Sequence, residues 1–234
     1  MRLLAALAAF FAALLGADHF AGRGGQVALG VAAFAVLVAA CRPLSPERRA
    51  QVAVVVGVAT CFEVLGSIVW GVYRYRLGNL PLFVPPAHGL VYLTGLQVSR
   101  LELVRRHERV FVRLILVLGL SWAAIGLSGV LGRVDVIGAF GILVFSTYLF
   151  VGPAPTVYGG VFLAVAGLEL YGTAIGTWRW AAVVPGLGLP DGNPPCGAAS
   201  GYVLFDIAAM ALAPLLVAAF GRRGRRVPAA QLVD

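Results

Sequence analysis

The chain has 234 residues, 60% of them hydrophobic and only 12% charged, with a mean hydropathy of +0.92. A soluble domain carries about 25% charged residues, so this chain has too little charge to cover a water-facing surface. All 18 basic residues are Arg; without Lys there is no Schiff base, which excludes retinal and pyridoxal-phosphate chemistry. The net charge of +8 lies in short Arg clusters between apolar runs, which fits a membrane protein and no nucleic-acid partner.

A helix needs about 20 apolar residues to cross the hydrocarbon core. In chain order the candidates are Leu3–Ala21, Gln26–Cys41, Val52–Val72, Pro86–Ser99, Val110–Leu131, Val136–Val151, Thr156–Gly176 and Gly197–Phe220. They predict an all-α membrane protein of about eight transmembrane helices. The first run, after Met1-Arg2, reads as a retained helix rather than a cleaved leader. The fourth is short, but Pro85-Pro86 suits a helix start.

Arg42, Arg48 and Arg49 lie between the second and third runs. Arg100, Arg105, Arg106 and Arg109 follow the fourth, and Arg222, Arg223, Arg225 and Arg226 follow the eighth. Eight crossings place all three clusters and Arg2 on one side. The positive-inside rule makes that side cytoplasmic, with both termini inside, at the plasma (inner) membrane. Loops 73–85 and 177–196 then face outward, with Tyr73, Tyr75, Trp178 and Trp180 at the boundary. The Gly/Pro-rich stretch 185–195 has no following Lys-Ser/Thr, so it reads as an outer cap and not a phosphate loop. Asp18 and His19 read as interfacial, and His107 as solvated. Cys41, Cys61 and Cys196 lack metal or disulfide spacing and read as small apolar fillers. No metal or cofactor is expected.

An internal repeat carries the chemistry. One copy reads Glu63-Val-Leu-Gly66-Ser67, Gly71-Val-Tyr73-Arg74-Tyr75, Pro85-Pro86 and Tyr92. The other reads Glu169-Leu-Tyr-Gly172-Thr173, Gly176-Thr-Trp178-Arg179-Trp180, Pro194-Pro195 and Tyr202. Copies four crossings apart share an orientation, which predicts a parallel 4+4 duplication: residues 1–109, then 110–221, then a basic tail 222–234, in one integrated membrane domain.

Each glutamate falls near the middle of its predicted helix, where charge costs about 2.5–3.5 kcal/mol unless it faces the protein interior or a wet cavity. Gly66 and Gly172 suggest close helix approach, and Ser67 and Thr173 offer hydroxyls to a backbone carbonyl or to the carboxyl. The copies differ in polar equipment: Glu63 with His88 in one, Glu169 with Asp206 in the other. Such asymmetry suits acid–base work. A bland reading stands beside each: glutamates that pin helices, and a His88 at a loop edge satisfied by water. Arg74 and Arg179 are equivalent cations at the outer rim, able to hold lipid phosphates or an anionic head group.

The stretch from Glu63 to Tyr92 resembles the bisanhydrobacterioruberin hydratase-like family of carotenoid-biosynthesis membrane proteins. It offers Glu63, Gly66, Gly71-Val-Tyr73-Arg-Tyr75, Leu77-Gly78 and Val84-Pro85, with Val69-Trp70 where the family has proline–phenylalanine. Size and buried acids are also similar to small membrane-bound terpene and lycopene cyclases. The resemblance implies an isoprenoid substrate and carboxylic acids that protonate an alkene. The expected function is a membrane enzyme of lyase or isomerase type (cyclisation, hydration or isomerisation). Glu63, Glu169, Asp206 and His88 are its candidate catalytic groups. Trp70, Tyr73, Tyr75, Tyr92, Trp178, Trp180, Tyr202, Arg74 and Arg179 are its candidate substrate contacts. A proton-coupled carrier and a non-catalytic lipid-binding scaffold are the alternatives. The sequence does not indicate an oligomeric state.

Overall fold

A computed structural model describes residues 1–223. The helices are α1 (Arg2–Phe20), α2 (Arg23–Cys41), α3 (Pro46–Glu63), α4 (Val84–Ser99), α5 (Glu102–Arg106), α6 (Glu108–Leu127), α7 (Val136–Val151), α8 (Pro155–Ala174) and α9 (Ala198–Arg223). A π-helical segment, Val64–Trp70, continues α3, and two short strands, β1 (Tyr73–Tyr75) and β2 (Trp178–Trp180), follow α3 and α8. Each of the eight apolar runs falls on a helix. Six helical stretches are long and apolar enough to cross a membrane: α1, α2, α3 with its π segment, α6, α8 and α9. These are compatible with an integral membrane protein, as are the large apolar side chains on their outer faces, such as Val31, Val69, Leu118 and Leu163. α4 and α7 are 16 residues each, shorter than a span. Most of the expected basic tail, from position 224 onward, lies outside the described residues.

Local chemistry sets the helix ends. Ser45 caps α3 by accepting the Arg48 N–H at 3.3 Å, with Pro46 in the first turn and Glu47 beside the positive end of the helix dipole. Proline in the first turn likewise opens α4 and α8. At the other end of α3 and α8 the chain turns sharply into a strand. Gly71 (φ +78°) and Gly176 (φ +76°) make those turns, in a left-handed conformation that costs only glycine nothing.

The core lies where α3, α4, α8 and α9 meet. α3 packs chiefly on α9 and α4 chiefly on α8. The α4–α8 contact is close because both sides are small: a Cβ on Gly160 would lie 3.0 Å from the Gly95 Cα. Around it are the fully buried Tyr92, Tyr158, Leu90 and Val161, with Phe145 stacked on Phe162 at 4.9 Å. α1 and α2 cover one flank, where Leu14, Leu15, Ala33, Phe83 and Val84 enclose Tyr75.

β1 and β2 pair antiparallel, with Tyr73 opposite Trp180, Arg74 opposite Arg179 and Tyr75 opposite Trp178. The two aromatic–Arg–aromatic segments of the sequence thus form one ribbon. Strand alternation turns the four aromatic residues to one face and leaves both arginines exposed on the other. The loop after β2 folds back as the expected cap. Asp135 anchors it, with Oδ1 accepting the Gly138 and Gly192 N–H groups and Oδ2 the Cys196 N–H.

Asp18, expected at the membrane interface, is fully buried within the protein, accepts from Gln26 Nε2 at 2.8 Å, and its backbone carbonyl accepts from Arg76. His19 Nδ1 lies 2.7 Å from the Ile175 carbonyl. Cys61 is exposed on α3 rather than buried as filler.

Candidate functional site: two glutamates under an aromatic ribbon

Glu63 ends α3, and the ribbon brings two phenols back over it. Tyr73 Oη donates to Glu63 Oε2 at 2.8 Å and Tyr75 Oη donates to the same oxygen at 2.7 Å. Glu169, in the C-terminal part of α8, is held in the same way by indoles: Trp178 Nε1 and Trp180 Nε1 each donate to its Oε2 at 2.9 Å. Both glutamates are buried. Ser67 donates to the Glu63 carbonyl at 2.7 Å, and Thr173 to the Glu169 carbonyl at 2.6 Å. These hydroxyls therefore serve the backbone and leave the carboxyls to the aromatic donors.

The glycine of each motif makes room for a ring rather than for a neighbouring helix. A Cβ on Gly66 would sit 3.0 Å from the Tyr73 ring, and one on Gly172 would sit 2.2 Å from the Trp178 ring. Tyr73 follows Glu63 by ten residues and Trp178 follows Glu169 by nine. The π-helical turn absorbs the extra residue, so both carboxylates meet their donors in matching geometry. Glu169 lies five residues from the end of α8 and Glu63 at the end of α3, so the pair sits toward one end of the bundle and not at mid-helix.

His88 is not a solvated loop-edge residue. It is buried in α4, its ring stacks on Tyr202 (centroids 5.1 Å, interplanar angle 18°), and Phe205 meets it edge-on at 5.9 Å. Its Nδ1 lies 2.9 Å from the Val84 carbonyl, an acceptor only, so Nδ1 carries hydrogen. Its Nε2 then faces Glu63 Oε1 at 3.2 Å. Because Glu63 Oε2 already receives two phenolic protons, a proton on this carboxyl belongs on Oε1, against His88.

Glu63, Glu169 and His88 share one cavity of about 600 Å³, within the range of small-molecule sites. Trp70, Tyr73, Tyr75, Trp178, Trp180 and Tyr202 line it. Phe62, Leu65, Val69 and Trp70 both line it and are exposed, so its mouth opens sideways through an apolar wall along the π segment. Burial first, and then the Glu63 carboxylate, push the Tyr73 and Tyr75 hydroxyls above the usual phenol range. Both remain protonated donors.

Four expected site residues lie elsewhere. Asp206 is buried but does not line the cavity, and its Oδ2 has no hydrogen-bond partner. It sits one turn past Tyr202, within electrostatic reach of Tyr92 and Tyr158. Tyr92 also turns away and donates to Gln51 Oε1 at 3.0 Å, an oxygen that also accepts from Arg48 at 2.8 Å. Arg74 and Arg179 point out from the far face of the ribbon. Gln51 and Tyr158 escaped sequence reasoning because a single Gln or Tyr in an apolar run carries no spacing signal. Phe11 and Phe83 in the cavity wall escaped because they read as ordinary core. Among the described residues, no three His, Cys, Asp or Glu side chains converge as metal ligands.

Comparison of the chain with protein-family models, with curated proteins and with solved structures finds no match.

Proposed function

We propose that the protein is an integral membrane enzyme that acts on an isoprenoid or similar apolar lipid by carboxylic-acid chemistry. The observation that carries this reading is the convergence of two aromatic-bonded glutamates and a histidine in one apolar cavity with a lateral mouth. A lipid enters such a cavity from the bilayer without crossing water. The Oε1 proton shared by Glu63 and His88 passes to an alkene carbon, leaving a carbocation on the neighbouring carbon. Glu169, whose Oε2 accepts two indole N–H groups, holds a fixed carboxyl dipole in the same wall. With the aromatic faces it stabilises the cation. Loss of a proton to the Glu63–His88 pair completes an isomerisation or cyclisation. Capture by water, whose proton goes to the same pair, completes a hydration.

The matching motifs, the antiparallel ribbon and the exchanged α3–α9 and α4–α8 contacts support a parallel duplication in which each half supplies one glutamate. The Arg clusters support cytoplasmic termini in an inner membrane. The Glu63–Tyr92 resemblance to carotenoid-biosynthesis proteins supports the isoprenoid class. An open cavity favours an enzyme or carrier over a scaffold. Incubating the purified protein with linear prenyl alcohols and acyclic carotenes, with products separated by mass, tests the reading. Product formation that falls at least ~100-fold in Glu63→Gln is expected. Unchanged turnover in both Glu63→Gln and Glu169→Gln overturns it.

A further inference from the structure

Arg74 and Arg179 face each other directly across the ribbon. Directly opposed residues of an antiparallel pair have Cβ atoms about 4.5–5.5 Å apart, and like charges there destabilise the pairing. Both side chains are exposed, and among the described residues neither has a carboxylate within 4.0 Å or a side-chain hydrogen bond. The other acids of this rim are buried and do not reach the arginines. Asp18 is buried with Gln26 and Arg76, while Asp135 and Asp191 are buried inside the cap. The ribbon therefore keeps two uncompensated guanidinium groups side by side at the membrane boundary.

Their position is specific. The opposite face of the same three-residue strands forms the cavity wall. Beside Arg74 lies a smaller, more polar hollow lined by Gly71, Gly78 and Asn79, and it shares Val69, Trp70 and Tyr75 with the main cavity. Where a Cβ on Gly71 or Gly78 would project there is open space, so no side chain at those turns blocks the hollow. An apolar tail space and a cationic head space thus adjoin at the cavity mouth.

We infer that Arg74 and Arg179 form the head-group site for a phosphate or diphosphate ester whose hydrocarbon tail lies in the cavity. This rests on the cavity being a lipid site, as proposed above. The guanidinium fork matches phosphate oxygens in paired hydrogen bonds. An anion set between the two arginines turns their mutual repulsion into attraction. The site defines the ligand as an amphiphile and not a bare hydrocarbon.

The test is tryptophan fluorescence of the full-length protein in a neutral detergent at low salt, since Trp70, Trp178 and Trp180 line the cavity. The probes are geranylgeranyl diphosphate, geranylgeraniol and inorganic pyrophosphate. The diphosphate is expected to bind at least about tenfold more tightly than the alcohol, and salt should narrow that margin. The double variant Arg74→Gln/Arg179→Gln should lose the margin, keep its affinity for the alcohol, and melt no lower than the parent without ligand because a like-charge pair is gone. Arg179→Gln alone should lose part of the margin. Equal binding of diphosphate and alcohol, or a margin that survives in the double variant, overturns the head-group site. Competition by pyrophosphate as strong as that of the prenyl diphosphate assigns the arginines to a free anion and also overturns it. If the alcohol binds while the charge adds nothing, the head-group site fails alone. If neither prenyl compound binds, the lipid cavity fails with it.

Discussion

Glu63 Oε1 and His88 Nε2 face each other at 3.2 Å, and each of the two groups is oriented by a bond on its other side. Two phenols hold the second carboxyl oxygen, and the Val84 carbonyl holds the second ring nitrogen. Their contact is therefore set by bonds on the far side of each group. Substituting His88 by Gln removes the second basic site but keeps side-chain bulk. Under the proposed chemistry, His88→Gln should lower turnover by about 10²-fold or more. Turnover of the variant against the parent measures this.

The aromatic donors differ in what their loss does. Tyr73→Phe and Tyr75→Phe each remove one hydrogen bond to a buried carboxylate, and each should cost about 1.5–3 kcal/mol of stability. Because both act on one oxygen, the double variant should depart from additivity. Denaturation of the two single variants and the double, each referred to the parent, gives the coupling directly.

Gly172→Ala should be more damaging than Gly66→Ala. The new methyl would meet the Trp178 ring at 2.2 Å in the first case but the Tyr73 ring at 3.0 Å in the second. Overpacking of this kind costs about 1–3 kcal/mol, and the displaced indole would leave Glu169. Melting temperature, together with the Trp178 emission maximum in a background lacking other cavity tryptophans, separates the two effects.

The cap formed by the loop after β2 gives a pH dependence with a definite sign. Asp191 is fully buried, and neither of its carboxyl oxygens has a partner. Burial first, then the neighbouring Asp135 charge, push it up to about 7 from 3.8, against opposing help from the Gly192 N–H and Arg133. Cys196 also borders the pair, its thiol held above the usual range by burial and Asp135. Between pH 4 and 7 the folded chain thus binds a proton that the unfolded chain releases. This contribution to stability is fully present below about 4 and is lost as pH rises through 7. The parent should melt lower at pH 8 than at pH 5, and Asp191→Asn should reduce that difference. Asp135→Ala, which strands three backbone N–H groups, should cost about 3 kcal/mol or more at either pH.

The helices were legible because hydrophobic length alone specifies them: every apolar run coincides with one. The glutamates and the rings around them were legible as an ordered motif, which sequence can show without showing contact. What joins them was not. A π-helical turn that adds one residue to the first copy, and a ribbon formed by strands about a hundred residues apart, leave no local periodicity. Helical spacing placed Asp206 one turn beyond Tyr202 correctly, but it did not reveal which neighbours that turn would meet. The burial of Asp18 was hidden for a similar reason. Its partners Gln26 and Arg76 come from α2 and the segment after β1, and no pattern in α1 announces them.

The ribbon also bears on motion. β1 follows α3 and β2 follows α8, and each strand is bonded both to its partner and, through its rings, to the glutamate of its own helix. The Arg76 N–H to Thr177 carbonyl and Ala181 N–H to Val72 carbonyl bonds extend the tie beyond the strands. Sliding α3 against α8 would shear these links together and drag the carboxylates off their donors. The ribbon thus works as a clasp at this end of the bundle and opposes sliding of α3 against α8.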